Sequence, residues 1–438
     1  MVGKAAFITG TIADIHRLSP RVGRIAPALI VGATHPMRCS LPLAAASIGL
    51  SLGLCAPQAQ AAPFTPRDDA QVLERVPART GNARARELQA LRETARREPG
   101  NADAAAALAA RWIEDALADG DPRFVGYAQA ALAPWWGEPA PPAAVRVQRA
   151  VILQYDHRFD EALADLAAVT AAEPWHAPAW AWQAAIHMVR ADYAGARRAC
   201  EGLAPMASTL TAIACTASVE ALTGQAASAA RLLGDALAFA LDSNDSSREE
   251  RLWALTRLAE IEERRGDFAA AERAFREALA LNLPDVYLRA AYADFLLDRG
   301  RPAEVLTLLQ GQERADVLLL RLALAARATA DARAARWGSE LGARFDAARA
   351  RGDRTHEKEE SRHLLASGGD ASRALELARE NYKLQREPSD ARAVLEAALA
   401  VRTREAKAAA QPVLQWLETN KVESVALRTL AERVKALP

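Results

Sequence analysis

Residues 255–284 read LTRLAEIEERRGDFAAAERAFREALALNLP. Small and apolar residues recur at helical spacing on both sides of Gly266-Asp267-Phe268, which predicts two helices joined by a tight turn. The pattern of turn, aromatic or proline, then small residue returns 34 positions later at Gly300-Arg301-Pro302-Ala303. Upstream, His157-Arg158-Phe159 and Ala191-Asp192-Tyr193 are also separated by 34. A fixed period of this length marks a stacked array of helix pairs.

Aligning the turns puts Ala109, Ala150, Ala184, Ala217, Ala259, Ala293 and Ala398 in one column, where the two helices of a pair touch. A larger side chain there would force the helices beyond the spacing of close packing. A one-residue insertion before Gly369 brings Ser361 into the same slot. Leu255, Leu258, Ala259, Ala271, Phe275 and Pro284 resemble the tetratricopeptide repeat motif, as do Trp180, Ala184 and Ala196, and Ala150, Ala162 and Pro174. The resemblance covers roughly 84–438. It implies an all-α, right-handed superhelical solenoid of antiparallel helix pairs, with the best copies in 143–310. Residues 311–354 make a degenerate copy whose 315–350 stretch has no glycine turn, and 355–438 a C-terminal repeat and cap. Trp180 falls in the motif's core tryptophan slot, while Trp112 and His187 fall in its tyrosine slot.

The departures from the period are also informative. Gly224 and Gly266 are 42 apart, which predicts an overlong second helix and a polar loop, with Ser246 or Ser247 capping the next helix. Pro134-Trp135-Trp136-Gly137-Glu138-Pro139 predicts a non-helical connector. Its tryptophans are read as core packing in preference to exposed binding anchors.

Composition agrees with an array. Hydrophobic residues are 51% and aromatics only 5%, because alanine dominates and suits closely approaching helices. At 438 residues the chain exceeds a single growing core. Basic and acidic residues balance at 55 each; removing 1–61 leaves 50 and 54. That balance lacks the basic footprint of a nucleic-acid binder.

Residues 1–61 read as a leader. Met37-Arg38, the apolar stretch Leu41–Leu54 and Ala59-Gln60-Ala61 match the charged start, core and A-x-A site of a signal peptide, with Met37 an alternative start. An extended segment would follow over 62–83. Leu54 before Cys55 disfavours lipid attachment. The expectation is export to the periplasm or beyond, with no integral membrane segment left after cleavage.

Cys200 and Cys215 then remain, one on each side of an interhelical turn near Ser208, and in an oxidising space such a pair crosslinks. The alternative is two buried thiols. His356 and His363, among Glu357, Glu359 and Glu360, lack metal-site spacing and are read as a charged solvent face. No nucleotide-binding or hydrolase motif occurs, so no catalytic residue, cofactor or metal is assigned.

In such arrays the first helices line the concave face. Their stripe reads Val147, Val151, Gln154; Ala181, Ala185, Met188; Ala214, Ser218, Ala221; then Thr256, Glu260, Glu263 and Ala290, Asp294, Leu297. It is apolar early and acidic later, and suits a partner segment with apolar and basic residues. The lysines and asparagines of family members that clamp a terminal carboxylate are absent from it. Arg257 is expected on the exposed side of its helix. The reading is a non-enzymatic scaffold or assembly factor of the cell envelope that holds another protein or an extended peptide. A polysaccharide or secreted-polymer export accessory is the alternative, and a regulatory subunit of an envelope enzyme a more distant one.

Overall fold

The computed structural model describes residues 83–243 and 246–438. The leader, the segment up to residue 82 and Cys55 therefore lie outside the described residues. Glu87–Pro438 packs as one compact unit, and no strand occurs among the described residues.

Helices α1 (Ala83–Arg97), α2 (Ala102–Asp119) and α3 (Arg123–Ala131) open the array. Pairs follow: α4 (Ala143–Tyr155) with α5 (Phe159–Ala172), α6 (Ala177–Val189) with α7 (Tyr193–Leu203), and α8 (Thr209–Glu220) with α9 (Ala226–Ser243). Then come α10 (Arg248–Arg265) with α11 (Phe268–Ala280), α12 (Val286–Asp298) with α13 (Pro302–Leu308), and α14 (Asp316–Ala328) with α15 (Ala334–Ala350). The chain ends with α16 (Glu357–Ser367), α17 (Ala371–Leu384), α18 (Pro388–Val401), α19 (Arg404–Ala409), α20 (Gln411–Thr419) and α21 (Val425–Lys435).

The period has a backbone cause. The turn residue in successive pairs adopts a left-handed conformation: His157 (φ 62°), Ala191 (58°), Gly224 (83°), Gly266 (90°), Gly300 (69°) and Ala330 (54°). Glycine takes this conformation without penalty, whereas alanine and histidine do so at a cost the packing must offset. Ala330 explains how the 315–350 copy turns without glycine. The column alanines are all buried, and Ser361 fits its slot by donating its hydroxyl proton to the Ala374 carbonyl at 2.8 Å.

Caps and connectors follow the sequence. Ser247 and Glu250 form a reciprocal capping box on α10, behind the long α9. The 134–142 break holds one short 3₁₀ turn, and Arg149 pins it by donating to the carbonyls of Trp136 (2.9 Å) and Glu138 (2.8 Å). Both connector tryptophans pack against the core. In the α6 copy the fully buried ring is Trp182; Trp180 is only partly covered, lying over Gly202 and donating to the Pro174 carbonyl. The core assignment thus belongs to Trp182, two positions on, while His187 is half-buried with Nδ1 2.8 Å from Asp192.

The array curves back on itself. α2 contacts α12, and Gly120 at the end of α2 stands so close to Ala315 and Val286 that a Cβ there would clash at 2.6 Å. The C-terminal helices do not simply extend the stack. They return along the edge that carries the interhelical turns, where the Arg386 amide donates to the Val189 carbonyl at 2.7 Å and the Trp416 indole to the Tyr193 hydroxyl at 3.1 Å. Val425 meets the Gly266 turn, and Lys421 the Gly224 turn.

Candidate ligand-binding cleft

Between the inner helices α6, α8, α10, α12 and α14 and the returning α16, α18 and α21 lies a cleft of about 270 Å³. Its apolar wall is made of Ala185, Met188, Leu222, Trp253, Val286 and Ala290. Cys200 and Cys215 lie in the same wall at bonding distance, with Cα atoms 5.7 Å apart, so the two cysteines flanking one turn do meet.

The stripe read from the sequence divides. Val147, Val151, Gln154, Ala181, Ala214, Ala221 and Thr256 are buried in helix packing. Ala185, Met188, Ser218, Glu260, Glu263, Ala290 and Asp294 line the cleft, while Leu297 is half-buried outside its lining.

Acidity along the stripe is largely neutralised by arginines from the same chain. Arg321 and Arg362 both hold Asp294, at 2.5 and 2.8 Å. Burial opposes ionisation of Asp294, but the two guanidinium groups outweigh it and hold the carboxyl well below the usual carboxylate range. Arg257 pairs with Glu260 at 2.9 Å, and the Tyr287 hydroxyl donates to the same carboxylate. Arg257 is therefore a buried cleft residue, not an exposed one; its guanidinium also covers the Tyr287 ring at 4.9 Å. Arg392 bridges Asp298 and Glu396.

The charged run at 357–360 is buried as well, where a solvent face was expected. Burial is tolerable because each charge has a partner of opposite sign: Arg354 for Glu357, Asp390 for Lys358 (3.1 Å), Lys358 for Glu359 and Arg349 for Glu360. His356 and His363 flank the Phe345 ring. Among the described residues no group of three or more metal-binding side chains comes together, and no helix is long and apolar enough to cross a membrane.

Two lining residues stand apart from these pairs. Glu263 makes no ion pair with a described residue; burial, then Asp298, Glu260 and Asp294, push its carboxyl up to about 8. Arg264 makes no hydrogen bond or ion pair with any described residue, and its Nε is buried without a partner. Burial lowers the pKa of Arg264 against the attraction of Glu260. Reading the sequence along one stripe missed Arg264, Arg321, Arg362 and Arg392. Arginines on successive inner helices were the available signal, but the returning C-terminal helices are what bring them opposite the acids.

No known family model matches the sequence, and no curated protein does. Among solved structures, a tetratricopeptide repeat protein from Parabacteroides merdae is 18% identical, with 54% of this chain and 92% of that one covered and a TM-score of 0.35. The tetratricopeptide domain of P58(IPK) is 14% identical, with 78% and 96% covered and a TM-score of 0.19. The architecture stands on the chain's own features: paired helices, left-handed turns spaced 30–42 residues apart with 34 between His157 and Ala191 and between Gly266 and Gly300, and a buried alanine column. By these the chain is a tetratricopeptide-like, all-α solenoid.

Proposed function

We propose that this chain is a non-enzymatic scaffold or assembly factor of the cell envelope that holds a segment of a partner protein in its central cleft. The observation that carries the reading is the cleft itself: an apolar wall faces a rim of mutually paired charges. Small inner residues keep the helices close and leave room for one extended segment or side-chain anchor, not for a whole helix. The leader pattern at 37–61 and the cysteine pair favour an oxidising, extracytoplasmic setting.

The alternative of a polymer-export accessory asks for aromatic faces open to the cleft. Trp253 is buried and Tyr287 is covered by Arg257, so the cleft favours a peptide segment over sugar rings. A photoreactive residue at Ser218, in the cleft wall, tests the reading in the native host, with exposed Arg231 on α9 as the outer-face control. A protein adduct from position 218 and none from 231 is expected. Adducts from 231 alone overturn it.

A further inference from the structure

Among the described residues, Arg264 is the cleft arginine without an ion-pair partner. The other cleft arginines are anchored: Arg257 by Glu260, Arg321 and Arg362 by Asp294, Arg392 by Asp298. Arg264 has no such partner, although protein surrounds it and its Nε is inaccessible. A guanidinium offers five donors in a planar fork; here the Nε–H is buried without an acceptor, and the side chain lines the cleft. A ligand, a partner or an ordered water can supply the missing acceptor.

Two neighbours strengthen the case. Glu263, adjacent in sequence, has its carboxyl pushed up to about 8 by burial and by Asp298, Glu260 and Asp294, which weakens it as a counter-charge for Arg264 near neutral pH. Ser424, Ala426 and Leu427, at the N-terminus of the eleven-residue helix α21, line the same cleft. A helix N-terminus adds partial positive charge there.

We infer that Arg264, which lines the cleft together with the N-terminus of α21, is the anchor of a binding site for a compact oxyanion, either a carboxylate or a tetrahedral sulfate- or phosphate-type group. Arg264 lies one turn beyond Glu260 on α10, so the site borders the Arg257–Glu260 pair, whose carboxylate is already engaged. Who bears the oxyanion rests on the function proposed above: it is a group on the segment that enters the cleft.

The probes are sodium acetate and sodium sulfate, each titrated at constant ionic strength against chloride. The readouts are the Nε–H resonance that disappears in Arg264→Gln, and the melting temperature. A saturable shift of that resonance and a rise in melting temperature are expected, because a ligand bound only by the folded state stabilises it. Arg264→Gln should weaken probe binding by about tenfold or more, and Arg264→Lys, which keeps charge but loses the fork, by less. Arg264→Gln removes a charge that has no ion-pair partner among the described residues, so it should melt no lower than the parent in chloride. Tighter binding of acetate assigns the site to a carboxylate, and tighter binding of sulfate to a tetrahedral group. No saturable shift with either probe overturns the inference. Crosslinking from Ser218 separates it from the scaffold reading. Undiminished adduct in Arg264→Gln removes the oxyanion anchor and leaves the scaffold; anion binding with no adduct from the parent does the reverse.

Discussion

Asp294 and Arg362, 68 residues apart in sequence, are joined by two hydrogen bonds of 2.8 and 3.2 Å, and Arg321 holds the same carboxylate from α14. One carboxylate thus ties the inner face of the array to the returning C-terminal helices. Asp294→Ala should destabilise by about 3–5 kcal/mol, because it leaves two buried guanidinium groups without their counter-ion. Arg362→Ala should cost less, roughly 1–3 kcal/mol, since Arg321 still satisfies Asp294. Urea unfolding with the midpoints compared checks the order; equal costs would contradict the shared-carboxylate picture.

The alanine column makes a packing prediction. Ala259 has no exposed surface where α10 meets α11, so Ala259→Leu should cost about 1–3 kcal/mol through overpacking. Arg273, exposed on α11, should tolerate alanine within about 0.5 kcal/mol. An unchanged unfolding midpoint for Ala259→Leu would break the repeat register.

How far the sequence was legible follows from distance along the chain. Helix pairs, the Ser247 cap and the alanine column are local, and periodicity and turn chemistry report them directly. The cysteine pair is nearly so, being 15 residues apart across one turn. The cleft is not local. Its charge balance depends on Arg362 reaching Asp294 and Arg392 reaching Asp298 over 94 residues, and no short-range pattern encodes such pairings. The run at 357–360 misleads for the same reason, since charges read as solvated unless their distant partners are known.

Glu263 should leave a pH signature. Its ordinary value is 4.5, and burial with nearby carboxylates raises it to about 8 in the folded state. Between these values the unfolded chain gives up a proton that the folded chain keeps, so this group's contribution to stability falls as pH rises and levels off above about 8. Glu263→Gln should flatten that fall and make the protein more stable than the parent at about pH 8. Parallel pH–stability curves for the two proteins would refute it.

The cysteine pair should be oxidised in exported protein. Closing a 15-residue loop stabilises by about 3 kcal/mol at most on the chain-entropy model, and packed neighbouring repeats reduce that further. Reduction should lower the melting temperature modestly. Thiol titration of denatured, unreduced protein should find neither Cys200 nor Cys215 reactive; two titratable thiols from this pair would remove the crosslink.

The central claim is that the C-terminal helices fold back against the array and so close the cleft. Val425, at the start of α21 and partly exposed, touches the Gly266 turn 159 positions earlier in sequence through its Cγ2. A photoreactive residue at Val425 in the intact chain, followed by mass-spectrometric mapping of the crosslinked peptide, tests that contact directly. An intramolecular crosslink to the peptide containing Gly266 is the predicted result, and crosslinks confined to α18–α21 or to a second molecule would contradict it.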